Sequence, residues 1–328
     1  MPISSVERDV EKLTMTVVAD FPVPLSRLWD AYVDPRQLEK FWGPPMWPAT
    51  FTRHEVFPGG RSAYAMTGPD GERSQGYWEF LRVEPLKSFE VLDGFANDDG
   101  TPNVEMPNMR MVFQFDATSS GSRLITTTYF NSLAELEQLI GMGMEEGMRQ
   151  AMGQIDEVLA DLRSFAADQP TQAQQIGELT LRTSRIIRGS VEQVWAAHHN
   201  PALVAAWMTG PDGWSMPTCE TGSRVGECYR YVWREDSSGV TFWSTGEILQ
   251  SSPPHREVFT ERMEGEVIPE PTVTTTNELT LTPLSEGTLL AIVTTYPDTA
   301  TLNAVLGTGM VTGMETSYLR LEQVLAER

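Results

Sequence analysis

The chain repeats itself at a distance of 166 residues, and this constrains its architecture more than any other feature: Leu13 falls on Leu179, Trp29 on Trp195, Pro35 on Pro201, Gly60 on Gly226 and Gly121 on Gly287. Near the end of each copy, residues 141–148 and 307–314 both read G-x-G-M-x-x-G-M. Solenoid and propeller units repeat every 20 to 50 residues or so, whereas this period is the size of a whole domain. Two fused copies of one domain are therefore expected, over residues 8–163 and 178–328. A polar linker without periodicity is expected at 164–177, around Asp168-Gln169-Pro170-Thr171-Gln172.

With 40% hydrophobic and 21% charged residues, each copy can bury a core of its own. No run approaches the roughly 18 apolar residues of a membrane helix, and residues 1–12 lack the apolar stretch of a signal peptide. A cytoplasmic protein without a membrane span is the expectation. The formal charge of −21 disfavours nucleic acid, because phosphate binding needs clustered Lys and Arg. Cys219 and Cys228 have no counterparts in the first copy and no C-x-x-C spacing. His54, His198, His199 and His255 do not recur at matching positions either, and neither a metal nor a cofactor is expected.

Within the first copy, Thr16, Val17 and Val18 favour a strand over 14–22. Pro24 opens a helix carrying Leu25, Leu28, Trp29 and Tyr32, and Asp34-Pro35 starts a second short helix over 36–41. Strands are expected at 51–57, 61–67, 74–83, 88–95, 110–116 and 122–130, punctuated by turns such as Gly68-Pro69-Asp70-Gly71. From Ser132 the apolar period becomes helical, and Leu133, Leu136, Leu139, Ile140, Met144, Met148, Ile155, Leu159 and Leu162 predict one long helix. The second copy follows the same plan, ending in a helix over 300–326. Gly141, Gly143, Gly147 and Gly153 each cost about 1 kcal/mol in a helix interior, so a kink, close packing or room for a ligand must explain them. Close packing is the first expectation.

The order of elements, with Phe41-Trp42-Gly43-Pro44-Pro45, Phe57-Pro58-Gly59-Gly60-Arg61 and the 141–150 segment, resembles the SRPBCC superfamily. Within it, the chain is most similar to the homologues of the heat-shock-protein-90 ATPase activator's C-terminal domain. The resemblance is weaker over 178–328, where Trp207-Met208-Thr209-Gly210-Pro211 replaces the Phe-Trp-Gly-Pro-Pro run and Gly222 to Gly226 replaces the Pro-Gly-Gly-Arg run. The resemblance implies an α+β helix-grip (START-like) fold, in which a curved antiparallel sheet wraps around a long C-terminal helix, with two short helices near the N-terminus. It also implies a small apolar ligand held between sheet and helix, with a polyketide-cyclase or hydratase activity or a chaperone partner as alternatives.

Residues two apart on a strand share a face, so Tyr64 with Met66, Trp78 with Phe80 and Phe113 with Phe115 are expected to line a cavity or fill a core. Met46 and Trp47 in the proline-rich loop and Met144, Met148 and Met152 on the helix belong to the same set. Trp214, Tyr231, Trp233, Met310, Met314 and Tyr318 are the second-copy candidates. The first copy is expected to hold the larger cavity, because Tyr318 stands where the first copy has Met152. Glu79, its counterpart Glu247, Arg61, Arg110 and His54 are the polar candidates. Glu79 or His54 would be the base in a catalytic reading, although Glu79 is expected to face solvent.

Overall fold

The computed structural model describes residues 3–210, 212–268 and 272–327. Pro211 of the second-copy loop and Arg328 at the expected end of the second domain lie outside them. Residues 1–165 and 166–328 form two compact units. The first opens with strands β1 (Ile3–Asp9) and β2 (Thr14–Phe21) and helices α1 (Leu25–Val33) and α2 (Pro35–Leu38). Strands β3 (Ala49–His54), β4 (Arg61–Thr67), β5 (Arg73–Glu84), β6 (Ser88–Phe95), β7 (Asn108–Thr118) and β8 (Gly121–Phe130) follow. Helices α3 (Leu133–Gly141), α4 (Met144–Gly153) and α5 (Ile155–Ala160) close the unit.

The second unit has strands β9 (Gln172–Gln175) and β10 (Thr180–Ile187), then helices α6 (Val191–His199) and α7 (Pro201–Trp207). After these come β11 (Trp214–Glu220), β12 (Cys228–Glu235), β13 (Thr241–Ser252), β14 (Arg256–Gly265), β15 (Thr274–Leu284) and β16 (Gly287–Thr295). It ends in α8 (Thr299–Gly307) and α9 (Met310–Ala326). Each unit builds one eight-stranded antiparallel sheet, in the orders β1-β2-β8-β7-β6-β5-β4-β3 and β9-β10-β16-β15-β14-β13-β12-β11. Both are helix-grip α+β folds with the same topology.

Local chemistry sets the helix starts. Asp34 accepts a hydrogen bond from the Arg36 amide at 2.9 Å and Asn200 one from the Ala202 amide at 3.0 Å, each just ahead of a proline at the first helical position. Asp34 is fully buried, which pushes its carboxyl up, but the Arg36 guanidinium and the donors around it outweigh burial and hold it below the usual range.

Two expectations are corrected. Strands β1 and β9 were not foreseen, and β9 falls inside the stretch expected to be linker. It pairs with β10 from Leu181↔Gln175 to Ser184↔Gln172, as β1 pairs with β2, so the repeat starts at these edge strands. The single long helix is also interrupted. Gly143 at φ +90° and Gly309 at φ +76° are left-handed, which ends α3 and α8 and caps α4 and α9. The G-x-G-M motif therefore encodes a break. Close packing does not explain these glycines: a Cβ on Gly141, Gly143, Gly153, Gly307, Gly309 or Gly313 would meet nothing within 4 Å.

Because each unit closes its own sheet, the halves 1–165 and 166–328 should each unfold in one cooperative transition on heating. Calorimetry of the separated halves checks this, and a half without a transition would show that the two depend on each other to fold.

Candidate functional site

The inner face of the first sheet is read from its register. Tyr64 lies opposite Gly76, Trp78 opposite Asp93, and Asp93 opposite Met109. Gly76 is required there, since a Cβ would come within 2.5 Å of the Tyr64 hydroxyl oxygen. At one end, α1 lays Trp29 and Tyr32 on the rings of Phe89, Phe113 and Phe115, with centroids 5.1 to 6.4 Å apart. At the other, Trp42 stands edge-on to Trp78 at 4.6 Å and to Tyr64 at 6.2 Å.

Asp93 sits among these rings and is 9% exposed. Trp78 Nε1 donates to its Oδ1 at 2.7 Å and the Tyr64 hydroxyl donates to the same oxygen at 3.2 Å. Burial pushes the carboxyl up to about 7, the two hydrogen bonds opposing it only in part. Burial, and then the charge of Asp93, hold the Tyr64 hydroxyl well above its usual range. Two further polar atoms of the interior, Thr126 Oγ1 and Thr128 Oγ1, are buried with no hydrogen-bond partner among the described residues, while the Trp42 side chain is within reach of the Tyr64 hydroxyl. Thr126 and Thr128 lie opposite Phe113 and Met111 and so belong to the inner face.

The second sheet repeats the arrangement with other residues. Cys228↔Glu247 takes the place of Arg61↔Glu79, so Gly246 stands where Trp78 does and Ser244 where Gly76 does. The neighbouring pair Thr245↔Arg262 brings Glu261 level with Gly246, in the position of Asp93. Ser244 Oγ donates to Glu261 Oε1 at 2.9 Å. Burial raises the Glu261 carboxyl against that hydrogen bond. Tyr229 meets Tyr231 at 5.1 Å and Phe259 at 5.9 Å, and Tyr231 meets Trp233 at 6.1 Å, so this carboxylate too has aromatic neighbours on its face.

Four residues before Glu261, at the place of Phe89, stands Glu257. His199 Nε2 lies 3.1 Å from its Oε1, Nδ1 faces the Trp195 carbonyl at 2.8 Å, and the imidazole stacks on Trp195 at 4.0 Å. Burial works against the imidazolium, yet the Glu257 carboxylate outweighs it and His199 is raised. The imidazole has an acceptor at each nitrogen, so the pair holds a shared proton.

The other candidates fall on both sides of the sheets. Trp78, Phe80, Phe113, Phe115 and Met152 are buried, while Tyr64, Met66, Trp47, Met144 and Met148 are half-buried and Met46 is exposed. Trp47 packs under the Gly68 turn. In the second unit, Trp233 is buried with its Nε1 donating to the Met208 carbonyl at 2.6 Å, and Trp214 meets Phe242 at 5.3 Å. Tyr231 is half-buried, Tyr318 stacks on Trp207 at 6.0 Å, Met314 packs on the main core, and Met310 packs with Leu181, Tyr296 and Leu302.

The polar candidates divide between the two faces. Glu79 projects from the outer face, 3.8 Å from Arg61, with the two side chains 42% and 59% exposed. Glu247 is exposed, and Arg110 pairs with Glu90 at 3.0 Å while lying over Tyr129. His54 is on the inner face, but its Nδ1 meets Ser62 Oγ at 2.8 Å and its Nε2 the Tyr32 carbonyl at 3.2 Å, which occupies both nitrogens. The two inner faces are packed differently. In the first, Trp78, Phe80 and Phe89 are each no more than 1% exposed, whereas Tyr231, Phe259 and Glu261 of the second face are half-buried. Glu257 in place of Phe89 and Gly246 in place of Trp78 remove the large rings that close the first face.

Asp93, Glu257 and Glu261 were missed. Their signal was parity, since each is an acid in the apolar phase of a strand, as in Phe89, Val91, Asp93. Among the described residues no group of His, Cys, Asp and Glu could hold a metal ion, and no helix is long and apolar enough to cross a membrane.

Two helix-grip units with an acid on each inner face define the class. Residues 22–160 and 188–326 each match the family model described as activator of Hsp90 ATPase homolog 1-like protein. The chain belongs to this family, with two copies in tandem. It is similar to a solved structure from Mycobacterium smegmatis at 45% identity, which covers 48% of this chain and 97% of the other at a TM-score of 0.46. A protein from Arthrobacter aurescens is 42% identical, covering 48% and 92% at 0.47. One from Rhodobacter sphaeroides is 31% identical, covering 49% and 100% at 0.45. Among curated proteins none matches the chain.

Proposed function

We propose that the chain binds a small apolar or amphipathic molecule at the inner face of its sheets, with Asp93 and Glu261 as polar anchors. The observation that carries this reading is the acid itself. The two copies differ at Trp78/Gly246, Gly76/Ser244 and Phe89/Glu257, yet both place a carboxyl at the same level of the sixth strand, among aromatic rings. Burying a carboxyl disfavours its charged form, so a purely structural core would be better served by an apolar residue. The unpartnered Thr126 and Thr128 hydroxyls offer further hydrogen bonds to a guest in the first unit.

Titration of the full chain with the neutral fluorophore N-phenyl-1-naphthylamine tests the reading, together with native mass spectrometry for a co-purified small molecule. Saturable binding is expected, and the Met148→Trp substitution should weaken it if the guest lies beneath α4. An absence of saturable binding by any apolar probe would reject the proposal. Turnover of a bound molecule would move the reading to the cyclase or hydratase class, with Asp93 in the role foreseen for Glu79. Co-elution with a chaperone in place of a small molecule would move it to an interaction module.

A further inference from the structure

The character of the two acids narrows the guest. Asp93 receives two neutral donors on one oxygen, Oδ1, and no cation among the described residues acts on it. The titratable groups around it are Tyr64 and Tyr77, both pushed upward first by burial and then by the Asp93 charge, and His54 further along the face. Glu261 has Ser244 as its neutral donor, with Tyr229, Tyr231 and Tyr296 within its field, the pair Glu257 and His199 further along the same face, and no cation acting on it among the described residues. In each unit a carboxyl without a countercharge therefore lies among aromatic rings: Trp42, Tyr64 and Trp78 in one, Tyr229, Tyr231 and Phe259 in the other. A carboxylate lacking a countercharge in aromatic surroundings is complementary to an organic ammonium group, which gains the ion pair and, over any ring face it reaches, cation–π attraction. A carboxylate ligand would meet repulsion there, and the overall charge of −21 reinforces the preference for cations.

We infer that the inner faces are built for apolar molecules bearing an amine, with the ammonium end on Asp93 in the first unit and on Glu261 in the second. This rests on the apolar-ligand reading and specifies its chemistry. An ammonium ion supplies the missing countercharge, so the guest and the ionised acid stabilise each other. The raised carboxyls then make uptake depend on pH: at low pH each acid is protonated and gives the ammonium no charge to meet.

The test uses the full chain and three probes of one shape: 2-naphthylmethylammonium, 2-naphthylmethanol and 2-naphthoate. At pH 8 the ammonium should bind roughly tenfold or more tightly than the alcohol, with the naphthoate weakest. Between pH 8 and pH 5.5 the ammonium should lose about tenfold in affinity while the alcohol stays level. In the Asp93→Asn, Glu261→Gln double variant the preference should vanish, the ammonium binding no more tightly than the alcohol. Equal affinities for ammonium and alcohol at pH 8, or an ammonium preference that survives in the double variant, would overturn the inference and leave the apolar-ligand reading in place. If none of the three probes binds, both fall together. The pH comparison uses the unaltered chain, so it decides the question even if the double variant folds poorly.

Discussion

Replacing Asp93 by asparagine should stabilise the first unit progressively as pH rises. The folded-state carboxyl lies at about 7, above the roughly 3.9 of a free aspartate. A group raised on folding favours the native state at low pH and loses that contribution as pH climbs through its folded value. Asparagine keeps the shape and the Oδ1 acceptor for Trp78 and Tyr64 but does not titrate. The variant's advantage should therefore grow by about 2 kcal/mol between pH 5.5 and pH 8 and level off above that. Any constant offset from placing an amide nitrogen at the Oδ2 position cancels in this difference. Hydrogen exchange read by mass spectrometry follows the strands of each unit separately in the full chain. An advantage that does not change with pH would show that Asp93 titrates alike in the folded and unfolded states.

Much of the fold was legible because turns and prolines punctuate the strands, and because alternation along Trp78 and Phe80 or Phe113 and Phe115 fixes an inner face. The edge strands were not. Ile3–Asp9 and Gln172–Gln175 each pair on one side only and are largely polar, so they carry neither alternation nor an apolar run. The helix breaks were hidden for another reason: the apolar stripe continues across Gly143 and Gly309, and only the backbone angle records the interruption. Gly153 hides one more. It precedes the break at Gln154 in the first copy, where the second copy has Leu319 and α9 runs on unbroken. Gln154 instead donates from Nε2 to the Gly43 carbonyl at 2.8 Å, tying the interrupted helix to the proline-rich loop.

The acids of the site were missed because Asp93, although inside the expected 88–95 strand, was not followed in phase with Phe89 and Val91. Likewise Glu257 and Glu261 are lost in a run of charges from Arg256 to Glu264. Phase would have found them, but phase is reliable only once the bulge between Ile248 and Gln250 is known. The histidines were dismissed for lacking counterparts. His199 shows the limit of that argument, since its partner Glu257 is also unique to the second copy, and the two departures from the repeat belong to one pair.

Arg185→Ala should destabilise the second unit by about 3–5 kcal/mol, the usual effect of removing one partner from a buried ion pair. Arg185 lies on β10 with its side chain 3% exposed. Its guanidinium reaches Glu315 and, at 3.1 Å, Glu322, which is 12% exposed; both acids are on α9. Glu315 also accepts from the Thr171 amide at 2.7 Å and the Thr171 hydroxyl at 2.8 Å, so one cluster fastens α9 to the sheet and to the segment that leads into β9. Burial raises the Glu315 carboxyl, but the Thr171 and Arg185 donors prevail and hold it below the usual range. The first copy has Ala19 at the matching position, and there α4 is tied to the edge strand by Arg8 and Glu145 instead. Truncation to alanine leaves Glu315 without its cation, while Glu322 keeps Arg188 at 3.6 Å and its amide at 3.0 Å, and α9 should detach before the sheet does. Denaturant unfolding measures the loss, and exchange of the α9 amides locates it. Changing Arg185, Glu315 and Glu322 together to leucine should restore most of the stability, because the desolvation of three charges disappears along with their attraction. A single Arg185→Ala variant as stable as the parent would show that α9 is held by Tyr318, Leu321 and Leu325 alone.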